Sequence, residues 1–228
     1  MKTAYNIDYM KRKYSITILF TLIILLLTKN GYTQVKYDTL VDLRDGKKYK
    51  TVEIGNQVWM AENLNYGKFI STKQEYLEEE NKYCYNNEES NCGLYGGLYN
   101  WQQVSSQSLC PEGWHVPSKK EWEALSSFLG EKIAGKKSKA SPNDVIPWDG
   151  TNESGLSIIP SGCGNGEEFH RLKQWATFWT SDESDNLRAW FIRFDGFWYE
   201  NPPKYNNIII DPYYLKSSAL SVRCIRNH

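Results

Sequence analysis

Histidine is scarce in this 228-residue chain: His115, His170 and His228 are the only three. None of them forms an HxxxH or HExxH spacing, so a zinc-peptidase helix is excluded. There is no Gly-x-Ser-x-Gly, and no Ser/His/Asp triad assembles from spacing. Tandem repeats and low-complexity tracts are absent, which excludes solenoids and arrays. No cysteine precedes Cys84, so no lipid-modified cysteine follows the N-terminal apolar run. Charge of one sign is also lacking, with 27 basic and 27 acidic residues. An electrostatic footprint for nucleic acid is therefore missing, as is a basic amphipathic helix for membranes.

What is present at the N-terminus is an export pattern. Lys11, Arg12 and Lys13 precede an apolar run from Ser15 to Thr28, followed by Lys29-Asn30-Gly31-Tyr32-Thr33-Gln34. A basic cluster, a core of this length and small residues at alternate positions predict a signal peptide, 1–33, cut between Thr33 and Gln34. Met10 opens a signal of the same kind, so translation from Met10 fits equally. A retained anchor would need about 20 apolar residues, more than the run supplies. Removing residues 1–33 takes away five basic residues and one acidic one, which leaves 22 against 26 and a formal charge of −4. No membrane span is expected after cleavage.

The remaining 195 residues suit a short arm, 34–39, and one domain, 40–228. All five cysteines lie in it, and in an exported protein five suggest disulfides with one thiol left over. All nine tryptophans lie in it too, as core or as a surface for ligands such as glycans.

From Leu40 the pattern is a β-meander, with Asp45-Gly46 and Gly55-Asn56 as turn pairs around Tyr49–Ile54 and with Gln57–Met60 beyond. Ser71–Ser90 is polar, and its Glu78-Glu79-Glu80 run reads as solvated surface. Leu98, Trp101 and Val104 predict a short helix over Gly97–Ser105. Ser118 and Glu121 form a capping box after Pro117. Trp122, Leu125 and Leu129 make the apolar stripe of that main helix, and Gly130 suits its end. Ile133–Asp149 reads as loop. Strands are predicted at Gly155–Pro160, Thr177–Ser181, Arg188–Phe194, Phe197–Glu200, Asn207–Asp211 and Leu220–Ile225. In the last, Leu220, Val222 and Cys224 alternate with Ser221 and Arg223, which predicts a half-buried strand. Two main helices with several short antiparallel strands and long loops give an α+β domain.

Several segments in order resemble the Fibrobacter succinogenes major paralogous domain. They are Arg44-Asp45-Gly46, Ile54–Leu64 with its Val58-Trp59-Met60-Ala61-Glu62-Asn63, Tyr83–Asn87, and Tyr95–Trp101. Cys110-Pro111-Glu112-Gly113-Trp114-His115-Val116-Pro117-Ser118 and the closing Ser221-Val222-Arg223-Cys224 complete the set. The resemblance covers roughly residues 40–226. It implies a C-type-lectin-like fold and a location outside the cytosol. It is also similar to formylglycine-generating-enzyme relatives, through Pro117, Ser118 and Glu121-Trp122-Glu123. The lectin-like topology, with Cys224 on an apolar strand face, implies a Cys110–Cys224 bridge. Cys84 and Cys92, close in sequence with turn residues between them, are the second expected pair. Cys163 is left over, in a glycine-rich stretch that reads as a flexible loop.

Candidate sites are few. A reactive Cys163 would need an activating base, and no partner pattern supplies one. His115 reads as a hydrogen-bonded structural residue. Glu200-Asn201-Pro202 has the wrong order for a calcium-dependent sugar site, and Trp148-Asp149 lacks its asparagine. Glu167-Glu168 and Asp182, Glu183 and Asp185 read as solvated loop. The expectation is no catalytic residue, no metal and no cofactor. The leading function is a non-enzymatic binding or adhesion module, secreted or at the envelope exterior, whose partner is an extracellular glycan or protein. Loops Ser141–Asn152 and Tyr199–Leu215 would form its recognition face, with Tyr199, Tyr205, Tyr213 and Tyr214 stacking on ligand. The alternatives are a modifying enzyme related to formylglycine-generating enzymes and a structural envelope component.

N-terminal sequencing of exported material should find a chain beginning at Gln34. Residues before Ser15 still attached would contradict the export reading.

Overall fold

The computed structural model describes residues 35–71, 80–196 and 206–227. The expected signal peptide, Phe197–Glu200, Glu200-Asn201-Pro202, Tyr199 and Tyr205 lie outside the described residues.

The two turn pairs fold the chain as their chemistry requires. Gly46 and Gly55 adopt φ of 73° and 64°, a region that costs glycine nothing. They join β1 (Tyr37–Val41), β2 (Lys48–Ile54) and β3 (Gln57–Met60) into an antiparallel meander. β1 begins at Tyr37, inside the stretch read as an arm. Along β2, Lys48 and Lys50 face out while Tyr49 and Thr51 are buried, the two-residue period of a half-buried strand.

Two five-stranded sheets carry the architecture. The first has the order β1-β2-β3-β12-β6, with β6 at Trp114–His115 and β12 at Ile225–Arg226. The second has the order β11-β10-β9-β7-β8. Its members are β7 (Ser161–Gly164), β8 (Phe169–Leu172), β9 (Trp175–Glu183), β10 (Arg188–Asp195) and β11 (Ile209–Leu215). A parallel pair, β4 (Lys68–Phe69) and β5 (Asn81–Lys82), stands apart. The helices among the described residues are α1 (Glu89–Tyr95), α2 (Trp101–Ser105), α3 (Lys119–Leu129) and α4 (Ala134–Ser138), with a 3-10 turn at Tyr85–Asn87. The fold is α+β with strands dominant. Among the described residues no helix is long and apolar enough to cross a membrane.

The main helix starts where the cap dictates. Ser118 accepts from the Glu121 N–H, and Glu121 accepts from the Ser118 N–H at 2.7 Å. His115 bonds Glu121 Oε1 at 2.9 Å and Asn227 Oδ1 at 2.6 Å, which ties the cap to the chain end. Burial works against the Glu121 carboxylate, but the Ser118 and His115 bonds prevail and hold its pKa below the usual range. Trp122, Leu125 and Leu129 are buried. Trp122 packs on Trp59 with ring centroids 4.6 Å apart and against Phe178 and Phe194 of the second sheet. One core thus lies between α3 and both sheets. The second core joins Tyr99, Trp101 and Trp179 around the Cys110–Cys224 bridge.

Five expectations need correction. The short helix starts at Trp101, because Asn100 caps it in a box with Gln103, while Leu98 and Tyr99 form β-bridges. Ile133–Asp149 contains α4, whose weak helix formers are held by tertiary contacts. Gly135 lies so close to Asn207 that a Cβ would stand 2.3 Å from its carbonyl oxygen. Cys163 is in a buried strand, β7, where small residues are needed: a Cβ on Gly162 would meet the His170 carbonyl at 2.7 Å. Gly155–Pro160 is irregular apart from a bridge at Ile158. The Leu220–Ile225 segment is buried on both faces, Ser221 and Arg223 included. Only Ile225–Arg226 forms a regular strand there.

Trp122→Ala should cost about 3–5 kcal/mol as a buried large-to-small change. Ser118→Ala should cost about 1 kcal/mol through loss of the cap. Urea titration checks both, and equal, negligible effects would contradict the packing of α3.

Candidate functional site

A groove of about 510 Å³ opens on the described residues. Its floor is Ala61, Asn63 and Arg223, beside the start of β2. One wall is the C-terminal half of α1, from Cys92 to Gly96, and the other is the Ala140–Ser157 segment.

Each wall has a local cause. The Cys84–Cys92 bridge, with Cα atoms 5.0 Å apart, ties α1 to the preceding 3-10 turn. Gly96, at φ 82°, ends that helix hard against Asn63, where a Cβ would lie 2.5 Å from the Asn63 Cβ. Asn63 then donates to the Tyr95 carbonyl at 2.8 Å. On the opposite wall Asp144 accepts from the Ser141 N–H at 2.6 Å and from Asn152 at 3.2 Å. Asn152 in turn accepts from the Ser157 N–H at 2.9 Å, closing a polar loop.

Arg223 connects floor and wall. Its side chain is 1% exposed. Nε donates to Asn63 Oδ1 at 2.8 Å, Nη1 to the carbonyls of Met60 and Leu156, and Nη2 to the Ser157 carbonyl at 2.9 Å. Burial lowers its pKa to about 9, so the guanidinium is charged at neutral pH. Behind the floor, Lys82 is buried and donates to the Asn65 carbonyl at 2.9 Å. Its burial, with nearby Lys47, lowers that ammonium to about 8. Asn65 lines the groove and leaves a buried Oδ1 with no hydrogen-bond partner among the described residues.

The chain matches the profile of the Fibrobacter succinogenes major domain over residues 52–226. It belongs to that family. No curated protein and no solved structure matches it. In this family member the groove is built largely inside the matched region, with Tyr37 and the start of β2 added from before it.

The residues suggested by sequence are dispersed. Asp144, Val145, Ile146 and Asn152 of the Ser141–Asn152 loop do line the groove. Tyr213 and Tyr214 do not, because Ile209–Leu215 is a strand, not a loop, and neighbours on a strand face opposite sides. Tyr213 is 69% exposed under Arg188, whose guanidinium is 5.7 Å from the ring. Tyr214 turns inward against Phe191 and Trp179, and its hydroxyl donates to Cys163 Sγ at 3.1 Å. Tyr199 and Tyr205 lie outside the described residues. Burial pushes the Cys163 thiol up, against the opposing pull of Tyr214, and also raises the Tyr214 phenol. Such a pair is neutral, whereas a nucleophilic thiol needs a lowered pKa. His170 is on the surface, 3.7 Å from Glu168. Asp182 accepts from the Lys119 N–H, Glu183 pairs with Lys216, and Asp185 pairs with Arg188. Among the described residues no three His, Cys, Asp or Glu side chains converge to hold a metal.

Arg223, Lys48, Lys50, Tyr37 and Tyr95 were not singled out as site residues from sequence. One signal was available for Arg223: a charge within the otherwise apolar closing segment must be paired or otherwise satisfied.

Between pH 8 and about 10.5 the unfolded chain keeps a proton on Lys82 that the folded chain has lost. Stability therefore rises with pH across that window. The urea midpoint of the native chain should climb relative to that of Lys82→Met over this range. Parallel profiles would contradict the burial of a charged lysine behind the groove.

Proposed function

We propose that this chain is an exported, non-enzymatic binding module of the cell exterior, with a C-type-lectin-like domain and the groove over Arg223 as its recognition site. The groove carries the reading. It is open, and it places phenol rings (Tyr37, Tyr95) beside amides (Asn63, Asn65, Asn152) on a floor held by a bridge and a buried hydrogen-bond network. Rings that stack and amides that accept and donate suit sugar hydroxyls. The two disulfides support an oxidising compartment, in agreement with the expected signal and a place at the envelope exterior or beyond it. The tie between the start of the main helix and the chain end, Cys110 to Cys224 with Cα atoms 6.0 Å apart, supports the lectin-like reading. The enzymatic alternative draws less support, because the free thiol is buried and neutral.

The test is a glycan array probed with the mature chain and with Tyr95→Ala and Tyr213→Ala variants. We expect one glycan class to bind, at least ten-fold more weakly to Tyr95→Ala and unchanged for Tyr213→Ala. Binding lost in Tyr213→Ala alone would move recognition to the edge of the second sheet.

A further inference from the structure

We infer that the groove selects an acidic sugar, whose anionic substituent sits between the unassigned N–H of Arg223 and the ammonium groups of Lys48 and Lys50. The inference rests on the sugar-binding reading of the groove and goes beyond it by naming the charge of the ligand.

The first ground is the state of Arg223. A guanidinium has five N–H donors. Four are used, by Asn63 and by the carbonyls of Met60, Leu156 and Ser157. One Nη2 hydrogen is left over, on a side chain that lines the groove. All four acceptors are neutral, and among the described residues no carboxylate forms an ion pair with Arg223. Glu62 acts on it only through space, so the desolvation penalty of the buried charge is only partly offset. An anion arriving in the groove supplies the missing partner, and a charge-assisted bond to it is stronger than a neutral one. A clamp between residues 60–63 and 156–157 alone would not require a cation facing a cavity.

The second ground is the rim. Lys48 and Lys50 stand two apart on β2 and are both exposed on its outer face. Among the described residues neither forms an ion pair, Lys50 lying 5.8 Å over the Tyr37 ring, whereas Lys47 is engaged by Asp45 at 2.5 Å. The two carboxylates of the groove, Glu62 and Asp144, are already bound by backbone N–H groups of Lys50 and Ser141, each at 2.6 Å. A chain balanced overall at 27 and 27 therefore turns an excess of positive charge toward this cavity.

The third ground separates a sugar from a bare anion or an acidic peptide. Tyr95 and Tyr37 line the groove, the latter with the Lys50 ammonium 5.8 Å over its ring, and the exposed Glu62 carboxylate offers an acceptor within it. An acceptor beside a cation suits a ligand that carries hydroxyls next to its acid.

Calorimetric titration of the mature chain with oligogalacturonate, dextran sulfate and a neutral galacto-oligosaccharide tests this. Oligogalacturonate should bind at least ten-fold more tightly than the neutral sugar and should weaken as salt is added. The Lys48→Glu/Lys50→Glu double variant, on an exposed strand face, should lose at least ten-fold in affinity while its urea midpoint is unchanged. Arg223→Lys should also weaken binding; if it fails to fold, the rim variant decides. Dextran sulfate bound in preference to galacturonate would keep the anion site and assign it to sulfate esters. Equal affinity for neutral and acidic sugars, or an unchanged affinity in the rim variant, overturns the inference and leaves the sugar-binding reading intact. No binding to any of the three, together with a blank array, overturns both.

Discussion

The closing segment, Leu220 to Arg226, is buried on both faces, and both large sheets depend on it. Ile225 pairs with Trp59 of the first sheet and with His115 of β6. A few residues earlier, the Ser221 carbonyl takes the Trp179 N–H of the second sheet, and the Leu220 N–H reaches Tyr99. Its apolar side chains, Leu220, Val222 and Cys224, enter one core. Its polar ones are satisfied individually, Ser221 by the Ser161 hydroxyl at 2.9 Å and Arg223 by four neutral acceptors. A strand in this position must bury its polar groups with partners, since an unmet buried donor costs about 1–3 kcal/mol. The Cys110–Cys224 bridge then closes 114 residues of chain onto it. A loop of that size lowers the entropy of the unfolded chain by the equivalent of about 5 kcal/mol in the ideal case.

The groove is a consequence of that threading. The acceptors of Arg223 belong to two segments far apart in sequence, Met60–Asn63 and Leu156–Ser157. Drawing those segments to one guanidinium leaves a cleft above it, which α1 and the Asp144 loop wall in. In the proposed site, stability and recognition thus share a residue. The same buried cation that organises the floor leaves a donor for whatever occupies the space.

Much of this was legible locally. Turn chemistry at Gly46 and Gly55 set the meander, and Ser118 with Glu121 set the start of α3, because both signals act over a few residues. The elements that sequence reasoning missed are short and defined by distant contacts. α4 contains Gly135 and Ser138, poor helix formers, and exists because Asn207 packs against it. β7 reads as a flexible glycine stretch, yet its small residues serve close packing beneath His170 and Tyr85. Arg223 was read as the outward residue of a half-buried strand, since alternation alone does not reveal a second sheet on the other side. The tyrosine cluster near the end of the chain misled for a related reason. Its two described members lie on one strand and part to opposite faces, so composition suggested a surface that the strand divides.

The claim that function resides over the closing segment is tested most directly by proton–nitrogen NMR of the mature chain titrated with oligogalacturonate. The account predicts that the Arg223 side-chain Nε–H and the backbone amides of Lys48, Lys50 and Tyr95 shift together, with a common saturation curve. Shifts confined to Arg188, Tyr213 and their neighbours on β10 and β11, with Arg223 unmoved, would contradict it.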